Sequence, residues 1–567
     1  MENDRHTGYA SIDRPWLKYY SADALKAPLS KESLYDHLRR QNEGHGDDIA
    51  VRFFDSKLSY SDFFFEIDRI ATSFSAIGVH SGDVVSFVAI TTPEILASFY
   101  ALNKIGAICN MLDPRMSEGT VMSLIEKAAS RYVVSLDIFS SKIRALWEND
   151  TSKIIIVNTN VSSPEKAEFH TARHLSWKQF FNIGANRPVV PSVPYLENTP
   201  ALIEYTGGTT GEPKGVLLSN DNINSVSDQY SHNGLPLRRG DSWQCVAAPF
   251  IAYVMILSTH VPLSHGITCA ITVYDPNLIA DDIVKGRYNH VAANPTVWEK
   301  VISSPDANGK DFSELLMPIS GADSMSIPLQ KKINRFLAEH GCKNVICNGY
   351  GMTESGIAGC VNLSKEVSKD GSVGIPFTQT CISVFIENSS EELPYNTVGE
   401  ICIHGPSVMM GYFNNRQATE KALQFHNDGK LWLHTGDYGH IDEDGFVFID
   451  GRIKRMLVKY NGAKVFPSMI EEVILKNDLV AKCAVIGVQD TQYAVGQVPV
   501  AFIVVKEPFE GSETELTNAL AVLCKLELPE YACPAQYRIL DSLPITPIGK
   551  IDFRALEKYA VDNRQGQ

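Results

Sequence analysis

The stretch of this chain best suited to chemistry is Tyr205-Thr206-Gly207-Gly208-Thr209-Thr210-Gly211-Glu212-Pro213-Lys214-Gly215-Val216. Its glycines let backbone amides close on an anion, its threonines add hydroxyl donors, and Lys214 adds a point positive charge. That is the composition of a phosphate-gripping loop. It is not a Walker loop, which needs Gly-Lys-Ser/Thr, because Pro213 precedes Lys214 and Gly215 follows it. The same residue types also suit a solvated turn cluster, so the decision rests on what the rest of the chain brings to the loop.

Several short apolar runs end in polar loops that could face it. Trp243 to Pro249 reads as a strand and a turn, with Phe250, Ile251, Tyr253 and Met255 beyond. His290-Val291-Ala292-Ala293 runs into Asn294-Pro295, and Leu316 to Ser320 runs into Gly321-Ala322-Asp323. Val345-Ile346-Cys347 leads into a loop, Asn348-Gly349-Tyr350-Gly351-Met352-Thr353-Glu354. In parallel α/β sheets ligands sit beyond the carboxyl ends of the strands, so these loops predict one shared site.

The elements that must position them follow an α/β rhythm from Leu58 on. Val84 to Ile90 reads as a buried strand. Thr92-Pro93-Glu94 then supplies an N-cap, a first-turn proline and an early acid, and Ile95, Leu96, Phe99 and Leu102 form the apolar stripe before Gly106. Tyr132-Val133-Val134 and Ile154 to Val157 are further strands, and such alternation predicts helix-covered parallel sheets. From Val398 the pattern turns to β with many turns. Past Asp450-Gly451-Arg452 a compact α+β unit of about a hundred residues follows. There Ser468-Met469-Ile470-Glu471 predicts a capping box, Cys483 to Ile486 and Val500 to Val505 predict strands, and Glu513 to Leu526 a helix. The first ~45 residues, with Trp16, Tyr19 and Tyr20, read as an arm packed onto the larger body.

Composition narrows the class. A chain of 567 residues exceeds one core and predicts about three to four units. Acidic residues outnumber basic ones 66 to 51, a formal charge of −15, which argues against a broad nucleic-acid surface. The 11 cysteines include no Cys-x-x-Cys pair, so neither a zinc ribbon nor a thioredoxin-like site is expected. The most apolar region, Cys245 to Val273, is broken by Ser258, His260, Pro262, Ser264 and His265 and cannot span a bilayer. With no apolar leader after Met1, a cytoplasmic protein is expected.

Taken together the motifs resemble the adenylate-forming superfamily of acyl-CoA synthetases, peptide-synthetase adenylation domains and luciferases. The resemblance runs from about Leu58 to Arg554. It implies an α/β fold: a large N-terminal domain, residues 1–451, with two helix-covered sheets and a small β-rich subdomain, and a small mobile α+β C-terminal domain, residues 455–567, hinged near Lys454. It also implies ATP, Mg2+ and coenzyme A as reactants and cofactor, with an acyl-adenylate and pyrophosphate formed first.

By motif match, Thr206, Gly207, Gly208, Thr209, Thr210 and Lys214 would hold the β- and γ-phosphates. Gly207-Gly208 stands where family members usually carry Ser-Gly, which removes one hydroxyl donor but keeps backbone access. Gly321, Ala322 and Asp323 would face adenine, with Asn348, Gly349, Tyr350, Gly351, Met352 and Thr353 opposite and Tyr350 stacked on the purine. Glu354 would bind Mg2+, a hard cation that prefers carboxylate oxygen. Asp437, in His434-Thr435-Gly436-Asp437, would take both ribose hydroxyls, and Arg452 would reach the same region. Lys550, in Pro544-x-Thr546-Pro547-x-Gly549-Lys550, would stabilise charge growing at the α-phosphate. Thr206, Glu354 and Lys550 are thus the expected catalytic residues.

Peptide-synthetase domains place an aspartate after the aromatic at Phe250 to pair with an amino group. Here Ile251 follows, and an unpaired ammonium there would be costly, so an apolar carboxylic acid is expected against Phe250, Ile251, Tyr253 and Met255. Lys459-Tyr460-Asn461-Gly462 resembles the acyl-CoA synthetase version of its segment, with Lys459, Asn461 and Gly462 along a pantetheine channel. An acyl carrier protein presents the same thiol and remains an alternative acceptor. An inactive nucleotide-binding regulatory protein is the alternative of another class.

Overall fold

The computed structural model describes residues 7–148, 153–158, 174–206, 213–246, 248–272, 278–459, 464–490, 495–509, 511–545 and 551–562. Among these residues, two large sheets dominate. One has the strand order Gly411–Tyr412, Lys214–Ser219, Pro200–Thr206, Ile108–Leu112, Val84–Val88, Tyr132–Leu136, Ile154–Asn158 and His174–Ser176. It is parallel from Pro200–Thr206 outward to His174–Ser176, and antiparallel at the other edge. The second runs Ile375–Pro376, Cys360–Val361, Cys347–Tyr350, Met317–Ser320, His290–Ala293, Ser242–Val246, Thr268–Thr272, Ile49–Phe53 and Ser56–Ser59. Its six central strands are parallel.

The alternation of strand and helix produces this arrangement as expected. Thr92 caps the helix Pro93–Lys104, accepting from the Ile95 amide with Pro93 in the first turn, and Ile95, Leu96, Phe99 and Leu102 are all buried. One continuous apolar core joins the facing sides of both large sheets to a third, antiparallel sheet of Cys381–Phe385, Gly399–His404, Leu431–Ile441, Leu423–Phe425 and Val447–Arg452. That sheet begins earlier than Val398, because Cys381–Phe385 supplies its outer strand. The N-terminal segment packs onto the larger body as expected, and its aromatic residues join the core. Trp16 is fully buried, and the Tyr20 hydroxyl donates to the Pro376 carbonyl at 2.7 Å.

From Leu457 on, separate apolar clusters form around the strands Val480–Gln489, Gln497–Val505 and Gln536–Ile539 and the helices Pro467–Ile474 and Glu513–Glu527. The expected capping box at Ser468 is not there. Pro467 opens the helix after Phe466, so Ser468 is already inside the first turn and its hydroxyl donates to the Asp450 carbonyl. Glu471 accepts instead from the Val485 amide and from Arg455. All eleven cysteines are free thiols, and all but Cys533 are buried. Among the described residues, no helix is long and apolar enough to cross a membrane.

Candidate active site

Thr206 and Lys214 are Cα partners across the antiparallel pair Pro200–Thr206 and Lys214–Ser219, at one end of the first sheet. Gly207, Gly208, Thr209 and Thr210 lie outside the described residues, as do Asn461, Gly462 and Lys550. Tyr412, on the edge strand beside Val216, bridges Lys214 to a turn that follows a strand of the second sheet. The Lys214 ammonium lies 4.7 Å from the centre of the Tyr412 ring, and the Tyr412 hydroxyl donates to Glu354 Oε1 at 2.8 Å. Glu354 is 5% exposed, on a single 3-10 turn Thr353–Ser355 whose carbonyl accepts the Met409 amide. Burial and then the Glu354 charge push the Tyr412 phenol well above its ordinary range, so it stays a donor. Nothing in the apolar periodicity pointed to Tyr412; its only sequence signal is the aromatic after Gly411.

Next to this trio stands a second one. Asp437 is paired in register with Arg452 across the antiparallel sheet, and Arg452 Nε lies 2.7 Å from Asp437 Oδ1. The Tyr350 hydroxyl donates to Asp437 Oδ2 at 2.6 Å. Burial pushes the Asp437 carboxyl up, with Arg452 and Tyr350 working against it. Burial works against the Arg452 charge, but Asp437, and beyond it Tyr350, Glu354 and Tyr412, more than offset this and raise its pKa. The two trios therefore share one electrostatic neighbourhood. Lys454 belongs to it too: burial and the charges of Lys214, Arg452 and Lys421 push its ammonium down.

The segment expected as a loop after Cys347 is itself a strand, Cys347–Tyr350, because Gly349 and Tyr350 pair with Val361 and Cys360. Gly351 follows it with no room for a side chain, since a Cβ there would lie 1.9 Å from the Ile357 carbonyl oxygen. Met352 opens the turn beyond, its amide donating to Ser355 Oγ at 3.0 Å. Across from it, Met317–Ser320 ends in Gly321 and in Ala322, which holds φ +66, a left-handed backbone that a non-glycine residue adopts at a cost of about 1–2 kcal/mol. Asp323 is exposed and accepts from the Ser324 amide. A Cβ on Gly321 would lie 3.5 Å from the Tyr253 ring and 3.6 Å from the Gly349 carbonyl, so Gly321 sits between Tyr253 and the facing strand end.

Tyr253 opens a π-helix, Tyr253–His260, a rare geometry concentrated at functional sites. Its buried hydroxyl has no hydrogen-bond partner. Ile251 is half-buried, Met255 sits in the main core, and Phe250 packs its ring under the Arg115 guanidinium at 4.8 Å. Arg115 is held by Asp113 at 2.7 and 2.8 Å, a pair the sequence reading missed. Lys459 is half-buried just past the strand Leu457–Val458, away from the residues above in sequence and on the C-terminal side of Lys454.

Glu204 was missed as well. It lies on Pro200–Thr206 with Met111 and Val216, both core residues, as Cα partners. It is 1% exposed, neither carboxyl oxygen has a partner, and burial pushes its pKa well above the ordinary carboxyl range.

Comparison with known proteins gives the family and the fold. The family model of the AMP-binding enzyme matches residues 38–413, and that of the AMP-binding enzyme C-terminal domain matches residues 469–550. A long-chain-fatty-acid–CoA ligase of Bacillus subtilis is 25% identical over 97% of this chain and 99% of its own. 4-Coumarate–CoA ligase 3 of Oryza sativa subsp. japonica is 30% identical over 86% of this chain and 85% of its own. The fold is that of an anthranilate CoA ligase solved with anthranoyl-AMP (TM-score 0.81, 21% identity, 95% of this chain and 99% of that one). It is likewise that of o-succinylbenzoate CoA synthetase from Bacillus subtilis with its acyl-adenylate (TM-score 0.75, 22% identity, 93% and 99%). The chain belongs to the AMP-binding enzyme family and is an adenylate-forming enzyme.

Proposed function

We propose that this enzyme activates an apolar carboxylic acid with ATP and passes the acyl group to coenzyme A. The observation that carries the reading is the pair of neighbouring trios, Lys214–Tyr412–Glu354 and Tyr350–Asp437–Arg452, which collects a cation, an acid and a diol-matching carboxylate in one neighbourhood. The phosphates of ATP lie against Thr206, the loop from Gly207 to Thr210, and Lys214. Adenine lies between Gly321-Ala322-Asp323 and Asn348 to Gly351, and ribose on Asp437 and Arg452. A carboxylate with one oxygen held by Tyr412 suits Mg2+, which takes one or two carboxylates alongside phosphate oxygens. Bound there, Mg2+ supplies neutralisation of phosphate charge.

In the first step the acid's carboxylate oxygen bonds to the α-phosphorus, the bond to pyrophosphate breaks, and Lys550 stabilises the charge that grows on the bridging oxygens. In the second the thiolate of coenzyme A bonds to the acyl carbon, and AMP leaves with the phosphate oxygen. Residues from 455 on close about Lys454 between the steps, and their self-contained apolar clusters support such a unit. Pantetheine passes Lys459, Asn461 and Gly462. Eleven free thiols fit a reducing cytoplasm.

The test is acid-dependent pyrophosphate release from ATP across a panel of aliphatic and aryl acids, followed by mass detection of the thioester on adding coenzyme A. No release from any acid, with nucleotide still bound, would favour the regulatory nucleotide-binding reading. Release without thioester, but with acylation of a pantetheinylated carrier protein, would move the acceptor to the carrier.

A further inference from the structure

The turn that presents Asp437 is an interruption of its sheet. Gly399–His404 pairs with Leu431–Ile441 at Glu400↔Tyr438 and again at Cys402↔His434, with a register shift between. Thr435, Gly436 and Asp437 therefore bulge out opposite the single residue Ile401, and side chains replace the missing ladder bonds. Thr435 Oγ1 donates to the Ile401 carbonyl at 2.6 Å and accepts from the Asp437 amide at 3.1 Å. The Gly436 amide, at φ +70, donates to Glu400 Oε1 at 3.1 Å.

Glu400 continues away from the site. Its Oε2 lies 2.9 Å from His434 Nδ1, and His434 Nε2 lies 2.9 Å from His426 Nε2. Glu400 and His426 are buried, and the His434 side chain is 5% exposed. With a carboxylate at Glu400 and a neutral His434, His434 carries Nδ1–H, His426 donates Nε2–H to the bare His434 Nε2, and His426 Nδ1 is a buried acceptor with no partner. Nothing in a core-packing role requires these three groups to be bonded in series behind a bulge.

We propose that Glu400, His434 and His426 form a hydrogen-bond relay that fixes the Thr435–Asp437 bulge and so positions Asp437 for the two ribose hydroxyls. This rests on Asp437 being the ribose carboxylate. Glu400 and both histidines are positioning residues, acting through Asp437 without touching nucleotide.

Glu400→Gln tests it with almost no change of shape. The amide oxygen must still accept from Gly436, so the amide NH2 turns toward His434. His434 then has to carry its proton on Nε2, His426 has to accept there, and His426 Nδ1–H becomes a buried donor with no acceptor. The relay runs backwards. The readout is the ratio of affinities for ATP and 2′,3′-dideoxy-ATP, measured by calorimetry on the full chain without acid or coenzyme A. The ratio isolates the ribose contact, because any general loss of stability weakens both ligands alike.

The expected result is that wild type prefers ATP and that Glu400→Gln shrinks the preference roughly tenfold or more, the scale of a hydrogen bond to a charged group. Nitrogen-15 imidazole spectra should show His434 protonated on Nδ1 in wild type and on Nε2 in the variant. An unchanged ratio in the variant overturns the relay while leaving the ribose assignment intact. Wild type that does not distinguish the two nucleotides sinks the ribose assignment itself. If Glu400→Gln does not fold, His426→Leu at the far end of the chain reads the same ratio: a drop supports the relay and an unchanged ratio overturns it. Glu400, Cys402 and His434 also bring three ligand atoms within 4.8 Å of one another. One equivalent of zinc that survives gel filtration and is lost in Cys402→Ser would overturn the relay in favour of a metal centre.

Discussion

Glu204 allows a prediction with its magnitude attached. Its carboxyl is sealed in the main core with no partner on either oxygen, and its folded pKa is raised by burial. In the unfolded chain the group titrates near the ordinary carboxylate value of about 4.3. Between that value and the raised one, the folded state holds a proton that the unfolded state has lost. Its contribution to stability is therefore complete below the ordinary value and declines as pH rises, by about 1.4 kcal/mol per pH unit. Glu204→Gln keeps the shape and removes the titration. Urea unfolding followed by tryptophan fluorescence, run on both proteins from pH 5 to pH 8, gives the difference in unfolding free energy at each pH, in which every other group cancels. The variant should gain on wild type as pH rises from 5, by about 1.4 kcal/mol per unit until the wild-type carboxyl ionises. Parallel curves would refute the reasoning and mean that Glu204 meets water or a cation in solution.

Three further outcomes follow from the site. Tyr412→Phe keeps a ring under Lys214 but strips Glu354 of its donor, so the Mg2+ concentration giving half-maximal pyrophosphate release should rise about tenfold or more; an unchanged Mg2+ curve would remove Glu354 from the metal site. Lys550→Ala should slow adenylation roughly 10²–10³-fold while acyl transfer from preformed adenylate survives, which rapid-quench assays of the two half-reactions separate; equal loss in both would end its assigned role. Gly351→Ala forces a Cβ onto the Ile357 carbonyl and should lower stability by at least about 2 kcal/mol, seen as a drop in melting temperature; wild-type melting would show that the 352–357 turn can move aside.

How much of this was legible in the sequence depends on the range of the cause. The helix Pro93–Lys104 was readable because its cap, first-turn proline and apolar stripe all lie within twelve residues. Gly321, Tyr350, Glu354, Asp437 and Arg452 could be singled out because each sits in a short segment that matches a motif of the family the chain resembles, and the fold does bring them to one neighbourhood. What failed was set by partners far along the chain. Ser468 satisfies the local rule for a cap, but Pro467 beside it starts the helix first and the Asp450 carbonyl claims its hydroxyl. Asn348 to Tyr350 looks like a polar loop and is a strand because Cys360 and Val361 return to pair with it. Tyr412 touches Glu354 across 58 residues, and Glu400 touches His434 across 34, distances at which no periodicity carries information.

The strand Ile49–Phe53 has a consequence for how the protein is made. Its parallel neighbour is Thr268–Thr272, and the Thr268 hydroxyl that closes on the Ile49 carbonyl belongs to a residue 219 positions later. At about 5–20 residues per second, the ribosome leaves this strand without that neighbour for roughly 10–45 s. During that time its only sheet partner is the short hairpin arm Ser56–Ser59, and its other edge is open to any strand that passes. The second sheet, which carries the Gly321 turn and Tyr350, is thus finished from both ends of a long wait. Soluble yield should accordingly depend on how fast the first 270 or so codons are translated, more than on anything the completed enzyme does.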